Sequence, residues 1–240
     1  MKMGLATIEA YSGAPVAQAD LVAQWISLTP GWAGMSYRFS WGRPVIYLES
    51  HLGPAGYQDL IEERYDRALG DIKADLPVDA IVRWDHEMDG PANEWRTWGG
   101  MEPRRYKRGW RHVAEIMGPM FWCPTSVKSR WDPYFPGAEY VSHVGFDYYD
   151  HGKRIPLTEG LKTRLAALRR LAPDKPQLLG ELGSAAIKDV CGRTEWLASL
   201  AGNGLWGAVY FDVDMSVHPQ PGPDWRMNDE MRDVFQVLAA

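Results

Sequence analysis

The chain has 240 residues, 45% of them hydrophobic and 24% charged, which suits one soluble globular domain with a large core and is too short for two comfortable ones. A formal net charge of −5 argues against nucleic acid or an anionic membrane as a partner and fits a neutral one. No stretch approaches the roughly 20 apolar residues of a membrane span, and MKMGLATIEAYSG at the N-terminus lacks the apolar run of a signal peptide. The chain reads as soluble and monomeric.

Twelve Trp, eleven Tyr and six Phe serve either an aromatic-rich core or a cleft whose flat rings stack on sugars. Cys123 and Cys191 lie far apart without metal-ligand spacing, as two thiols or one disulfide.

In chain order, short apolar or β-branched runs of strand length occur at Leu5–Ala10, Met35–Phe39, Val45–Leu48, Ala80–Trp84, Met120–Trp122, Val141–Phe146, Gln177–Leu179 and Ala208–Phe211. Several lack alternation, as strands buried on both faces do. Helical stripes fall between them: Ile61, Tyr65, Ala68 and Ile72; Tyr106, Trp110, Val113 and Met117; Leu161, Leu165, Leu168 and Leu171, with Thr158 as N-cap. A weaker stripe covers Thr194 to Leu200, and a last helix runs from about Met227 to Leu238.

Eight strands interleaved with helices predict parallel βαβ units. Over 240 residues that is about 30 per unit, near the βαβ repeat, so the expected fold is a single (β/α)8 barrel over residues 1–240 with short loops. The second unit is the least clear, since Trp32–Leu48 leaves little room for a helix. Ser12-Gly13-Ala14-Pro15 follows the first strand, without the glycine-rich phosphate loop of a nucleotide-binding sheet.

Catalytic groups of such barrels stand where strands end. The fourth run passes straight into His86-Glu87 before Gly90-Pro91, and the seventh ends at Gly180-Glu181. The two glutamates are 94 positions apart, about 31 for each of three units, so they face one another across the mouth. Retaining cleavage of a glycosidic bond needs such a pair, one carboxyl to protonate the leaving oxygen and one to attack the anomeric carbon, roughly 5–5.5 Å apart. The acid needs a raised pKa; the nucleophile needs hydrogen-bond donors, which Arg83 or a tyrosine can supply.

Arg83-Trp84-Asp85-His86-Glu87-Met88-Asp89-Gly90 resembles the R-x-x-H-E-M-N-G acid/base motif of glycoside hydrolase family 26, the family of β-mannanases and some related endo-glycanases. Trp95-Arg96-Thr97-Trp98-Gly99 is similar to its W-x-x-W-G, and Met120–Thr125 to its fifth strand. Phe135–Val141, Asp147-Tyr148-Tyr149 and Lys175–Gly183 resemble its sixth and seventh strands with their lead-ins. The resemblance spans residues 83–183. It implies a (β/α)8 fold, double displacement without a cofactor, Glu87 as acid/base and Glu181 as nucleophile. It places His86 in the cleft, Tyr149 near the nucleophile and Trp98 at the border of the substrate. Arg83, Trp95, Trp122 and Tyr210 complete the expected substrate-binding set.

The chain departs from the pattern at Asp89 and Thr125, where Asn is usual, and at strand eight. There Val209-Tyr210-Phe211-Asp212 lacks the Trp expected under the sugar, leaving Tyr210, Phe211 or Trp206. The expected substrate is a polysaccharide or oligosaccharide, β-1,4-mannan foremost. A β-xylanase, a mixed-linkage β-glucanase and a non-catalytic carbohydrate-binding barrel are the alternatives. His143, Asp147, Asp150, His151, Asp212, Asp214 and His218 lack the fixed spacing of a metal site, so no metal is expected. Asp212 and Asp214 suit either sugar hydroxyls or structural caps. Arg104–Arg111 reads as a solvated helix face, and no G-x-S-x-G marks a serine hydrolase.

Overall fold

A computed structural model of the chain describes residues 1–6, 19–29, 42–94, 96–151, 157–185, 190–217 and 222–240. The strands are β1 (Lys2–Ala6), β2 (Leu21–Leu28), β3 (Arg43–Ser50), β4 (Ile81–Trp84), β5 (Met120–Trp122), β6 (Val141–Asp150), β7 (Gln177–Ser184) and β8 (Gly207–Phe211). They pair in parallel in that order, and β1 closes on β8 to form a barrel. This is the expected (β/α)8 architecture.

The second strand is a correction. Its place between β1 and β3 belongs to Leu21–Leu28, while Met35–Phe39 lies outside the described residues. LVAQWISL carries Gln24 and Ser27 between apolar residues, so it does not read as a continuous apolar run.

Alternation sorts each strand into two faces. Leu21, Ala23, Val45, Tyr47, Ile81, Phe121, Cys123, Leu178 and Val209 pack together inside the barrel. Ile26, Leu28, Ile46, Leu48, Trp84, Trp122, Phe146, Leu179 and Tyr210 join the larger cluster between barrel and helices.

The outer layer contains α1 (Gly53–Ile61), α2 (Asp66–Asp75), α3 (Pro103–Met117), the one-turn α4 (Trp131–Tyr134), α5 (Leu157–Leu171), α6 (Val190–Ala198) and α7 (Asp229–Ala239). The stripe from Ile61 to Ile72 is two helices, not one. Glu63 adopts a left-handed backbone (φ 69°), which ends α1 and lets α2 restart. Helix α3 buries Tyr106, Trp110 and Val113 and leaves Arg104, Arg108 and Arg111 exposed, the solvated basic face expected. Glu102 caps it by accepting from the Arg105 amide at 2.8 Å. Thr158 stands in the first turn of α5, and its side chain lies outside the described residues. Cys123 is a buried free thiol; the Cys191 side chain lies outside the described residues. Among the described residues no helix is long and apolar enough to cross a membrane.

Candidate active site

The mouth is built where β3, β4, β6 and β7 end. After Trp84 the chain turns sharply: Asp85 (φ 36°) and Glu87 (φ 52°) both occupy left-handed backbone, a conformation costing on the order of 1–3 kcal/mol per non-glycine residue. Neighbours fix this turn. The carboxylate of Asp85 accepts from the Ser50 amide at 2.7 Å and the Ser50 hydroxyl at 2.5 Å, and the Glu87 amide donates to the Cys123 carbonyl at 2.8 Å. The result sets His86 and Glu87 side by side over the barrel.

Glu181 reaches the same mouth from β7. Its Oε1 accepts from Nη1 of Arg83 at 3.0 Å, and its Oε2 accepts from the Tyr149 hydroxyl at 2.5 Å. Arg83 is fully buried, lies 4.3 Å over the Tyr47 ring and forms a second ion pair with Asp147. Tyr47 in turn donates to the Gly180 carbonyl at 2.5 Å. Gly180 must be glycine for this packing, because a Cβ there would stand 2.5 Å from the Cys123 sulfur and 2.8 Å from an Asp147 oxygen.

The two glutamates occupy different settings. Burial lifts the Glu87 carboxyl to about 7, against the pull of the Arg96 guanidinium paired with it and with the charge of Glu181 adding to the rise. Glu181 is held by a guanidinium and a phenol. Burial also keeps the Tyr149 hydroxyl protonated, as a donor must be. His86 lies between, its Nε2 3.8 Å from Glu181 Oε1. Burial and the charges of Arg83, Arg96 and His51 push its imidazole well below the ordinary range, so the ring is neutral.

Arg83, His86, Glu87, Tyr149 and Glu181 therefore converge. Trp98 is 1% exposed and sits behind the site, its indole N–H donating to the His86 carbonyl at 2.7 Å, so it supports His86 and does not border a substrate. Trp95 lies outside the described residues. Trp122 and Tyr210 are corrected as substrate contacts, because the strand pleat turns both toward the helices. Trp122 meets the edges of Trp131 and Phe135, and the Tyr210 hydroxyl accepts from the Ser184 amide at 3.3 Å. Phe211, one residue on, faces the mouth, near Tyr149 (6.0 Å) and Trp25 (6.4 Å). Trp225 packs on Tyr149 at 4.7 Å, and Gly183 leaves room for both rings. Asp212 acts as a cap, accepting from the Met227 amide at 2.7 Å and pairing with Arg232.

Glu49, Arg96 and Trp225 are site residues that the sequence does not single out. Glu49 had a usable signal: it follows the apolar run Val45–Leu48 as Glu181 follows Gln177–Leu179. Trp225, beyond strand eight, had none.

His86, Asp147 and Glu181 offer ligand atoms within 4.8 Å of one another. Arg83 is already bonded to both carboxylates, so a divalent cation would have to displace a buried guanidinium.

No protein-family model matches the sequence, and no curated protein matches it. Solved structures share the fold. A GH26 β-mannanase from Bacteroides ovatus matches over 98% of this chain and 87% of its own, at 14% identity and a TM-score of 0.66. The catalytic domain of a GH26 endo-β-1,4-mannanase from Bacillus sp. JAMB-750 matches over 80% of this chain at 17% identity and a TM-score of 0.54, and this chain spans 64% of that domain's length. A GH128 (subgroup II) endo-β-1,3-glucanase from Sorangium cellulosum matches over 98% of both chains, at 15% identity and a TM-score of 0.60. The chain thus has the barrel fold found in these glycoside hydrolases.

Proposed function

We propose that this protein is a retaining glycoside hydrolase that cleaves β-linked polysaccharide, with β-1,4-mannan as its substrate class and an endo mode of attack. The observation that carries the reading is the contrast between two facing carboxyls: Glu87 lifted to about 7 by burial, and Glu181 cradled by Arg83 and Tyr149. A carboxyl raised by burial beside one oriented by two donors suits an acid/base and a nucleophile.

In this reading Glu87 gives its proton to the glycosidic oxygen as a Glu181 oxygen attacks the anomeric carbon. The aglycone leaves, and a glycosyl ester of Glu181 remains. Glu87, now a carboxylate, takes a proton from water, and that water's oxygen displaces Glu181 from the same carbon. Arg83 and Tyr149 orient Glu181 throughout.

A β-1,3-glucan is the second reading, favoured by the match over 98% of both chains with the Sorangium cellulosum glucanase; the mannanases quoted above run longer than this chain. Release of reducing ends from mannan, galactomannan, xylan, barley glucan and β-1,3-glucan decides among these. Glu181→Ala removes all release, while Glu87→Ala fails on polysaccharide yet still turns over an aryl glycoside with an activated leaving group. Unchanged cleavage by both variants would overturn the assignment.

A further inference from the structure

Behind His86, on the side away from Glu181, stands Glu49. It is the inward-facing residue at the end of β3, 8% exposed. His51 Nε2 lies 3.1 Å from its Oε2, and its Oε1 faces His86 Nδ1 at 3.8 Å. That Nδ1 is buried and has no hydrogen-bond partner among the described residues. The other ring nitrogen, Nε2, faces the mouth and Glu181.

A neutral imidazole carries one N–H and one lone pair, so one of two carboxylates must face the lone pair. Glu181 already has two donors, one of them a cation. Among the described residues Glu49 has a hydrogen bond from His51 alone. A lone pair at Nδ1 would confront the less compensated carboxylate in a largely buried place. A proton at Nδ1 turns the same 3.8 Å contact into an electrostatic attraction.

We propose that Glu49 is a positioning residue that fixes the His86 proton on Nδ1 and thereby presents the Nε2 lone pair to the mouth as a hydrogen-bond acceptor beside Glu181. The catalytic consequence rests on the glycosidase reading. A ring hydroxyl of the sugar bound at Glu181 donates to Nε2, and a sugar lacking a donor there loses that bond. An imidazole whose second nitrogen is held by a carboxylate is the usual means of choosing a tautomer, and losing such a partner costs about 10–100-fold in activity in metal sites built the same way.

The test is nitrogen-detected NMR of the imidazoles in the ligand-free wild type, Glu49→Gln and Glu49→Ala, with His86 assigned through His86→Gln. The expected result is an Nδ1–H tautomer in the wild type, its retention in Glu49→Gln, whose amide oxygen still accepts, and a shift toward Nε2–H in Glu49→Ala. An Nε2–H tautomer in the wild type overturns the proposal, and so does a tautomer that Glu49→Ala leaves unchanged. The wild-type spectrum is decisive even if Glu49→Ala fails to fold. Kinetics on mannan then read the consequence: kcat/KM falls about 10–100-fold in Glu49→Ala and recovers most of that in Glu49→Gln. Wild-type protein that cleaves no glycan would sink the glycosidase reading while leaving the tautomer result standing, so the two failures are separable.

Discussion

Thr125 donates twice to Asp89, its backbone amide to Oδ1 at 2.7 Å and its hydroxyl to Oδ2 at 2.6 Å. The contact ties the turn after β4 to the end of β5, just below Glu87. Both positions carry Asn in the family 26 pattern, so the two departures are one compensated pair. A carboxylate accepts from a hydroxyl and an amide without needing a donor of its own.

Asp89→Ala leaves those two donors without their acceptor in a nearly closed site. Bonds to a charged group contribute about 1.5–3 kcal/mol, so the melting temperature should fall by roughly 4–10 °C for a chain of this size. Thermal melts of Asp89→Ala, Thr125→Ala and the double variant check the pairing. A double variant destabilised by the full sum of the two singles would show that the residues are uncoupled.

The pH dependence of kcat/KM should have an alkaline limb near pH 7, because Glu87 must be protonated to act as acid and its carboxyl sits at about 7. Arg96 favours the charged form, so Arg96→Gln should move that limb to higher pH. A limb that stayed in place or moved down would contradict the role of Arg96. The same shift bears on stability. Between the ordinary 4.5 and about 7 the folded state holds a proton that the unfolded chain releases, so this contribution to stability is lost as pH rises through that window.

Arg83→Met removes the cation shared by Asp147 and Glu181 and leaves both carboxylates buried. Breaking a buried pair from one side costs about 3–5 kcal/mol. Urea denaturation should therefore show a much lower midpoint, and kcat should fall with it, since Glu181 loses a donor. A variant as stable as the wild type would mean that solvent reaches the pair.

Trp122→Phe and Phe211→Ala separate the two faces of the barrel wall. The first leaves a void among Trp131 and Phe135 and should lower the melting temperature while kcat/KM on mannan changes less than about threefold. The second trims the mouth and should cost about tenfold or more in kcat/KM, in line with burial of an aromatic ring worth about 1.5–3 kcal/mol. The reverse pattern would return Trp122 to the substrate.

The reading from sequence located the barrel and its two facing glutamates because strands of a parallel sheet are buried on both faces and stand out as apolar runs ending at acids. Ala80–Trp84 running into His86-Glu87, and Gln177–Leu179 into Glu181, are of this kind. Leu21–Leu28 escaped because Gln24 and Ser27 interrupt its run. The same double burial hides which way each side chain points. Trp122 and Phe121, or Tyr210 and Phe211, are adjacent and equally apolar, and only pairing with neighbouring strands sets which member faces the mouth. Tertiary structure alone joined Arg83 to Asp147 as well as to Glu181, and set Glu49 behind His86. Such contacts depend on strand order and stagger in the closed barrel, and no local pattern encodes them.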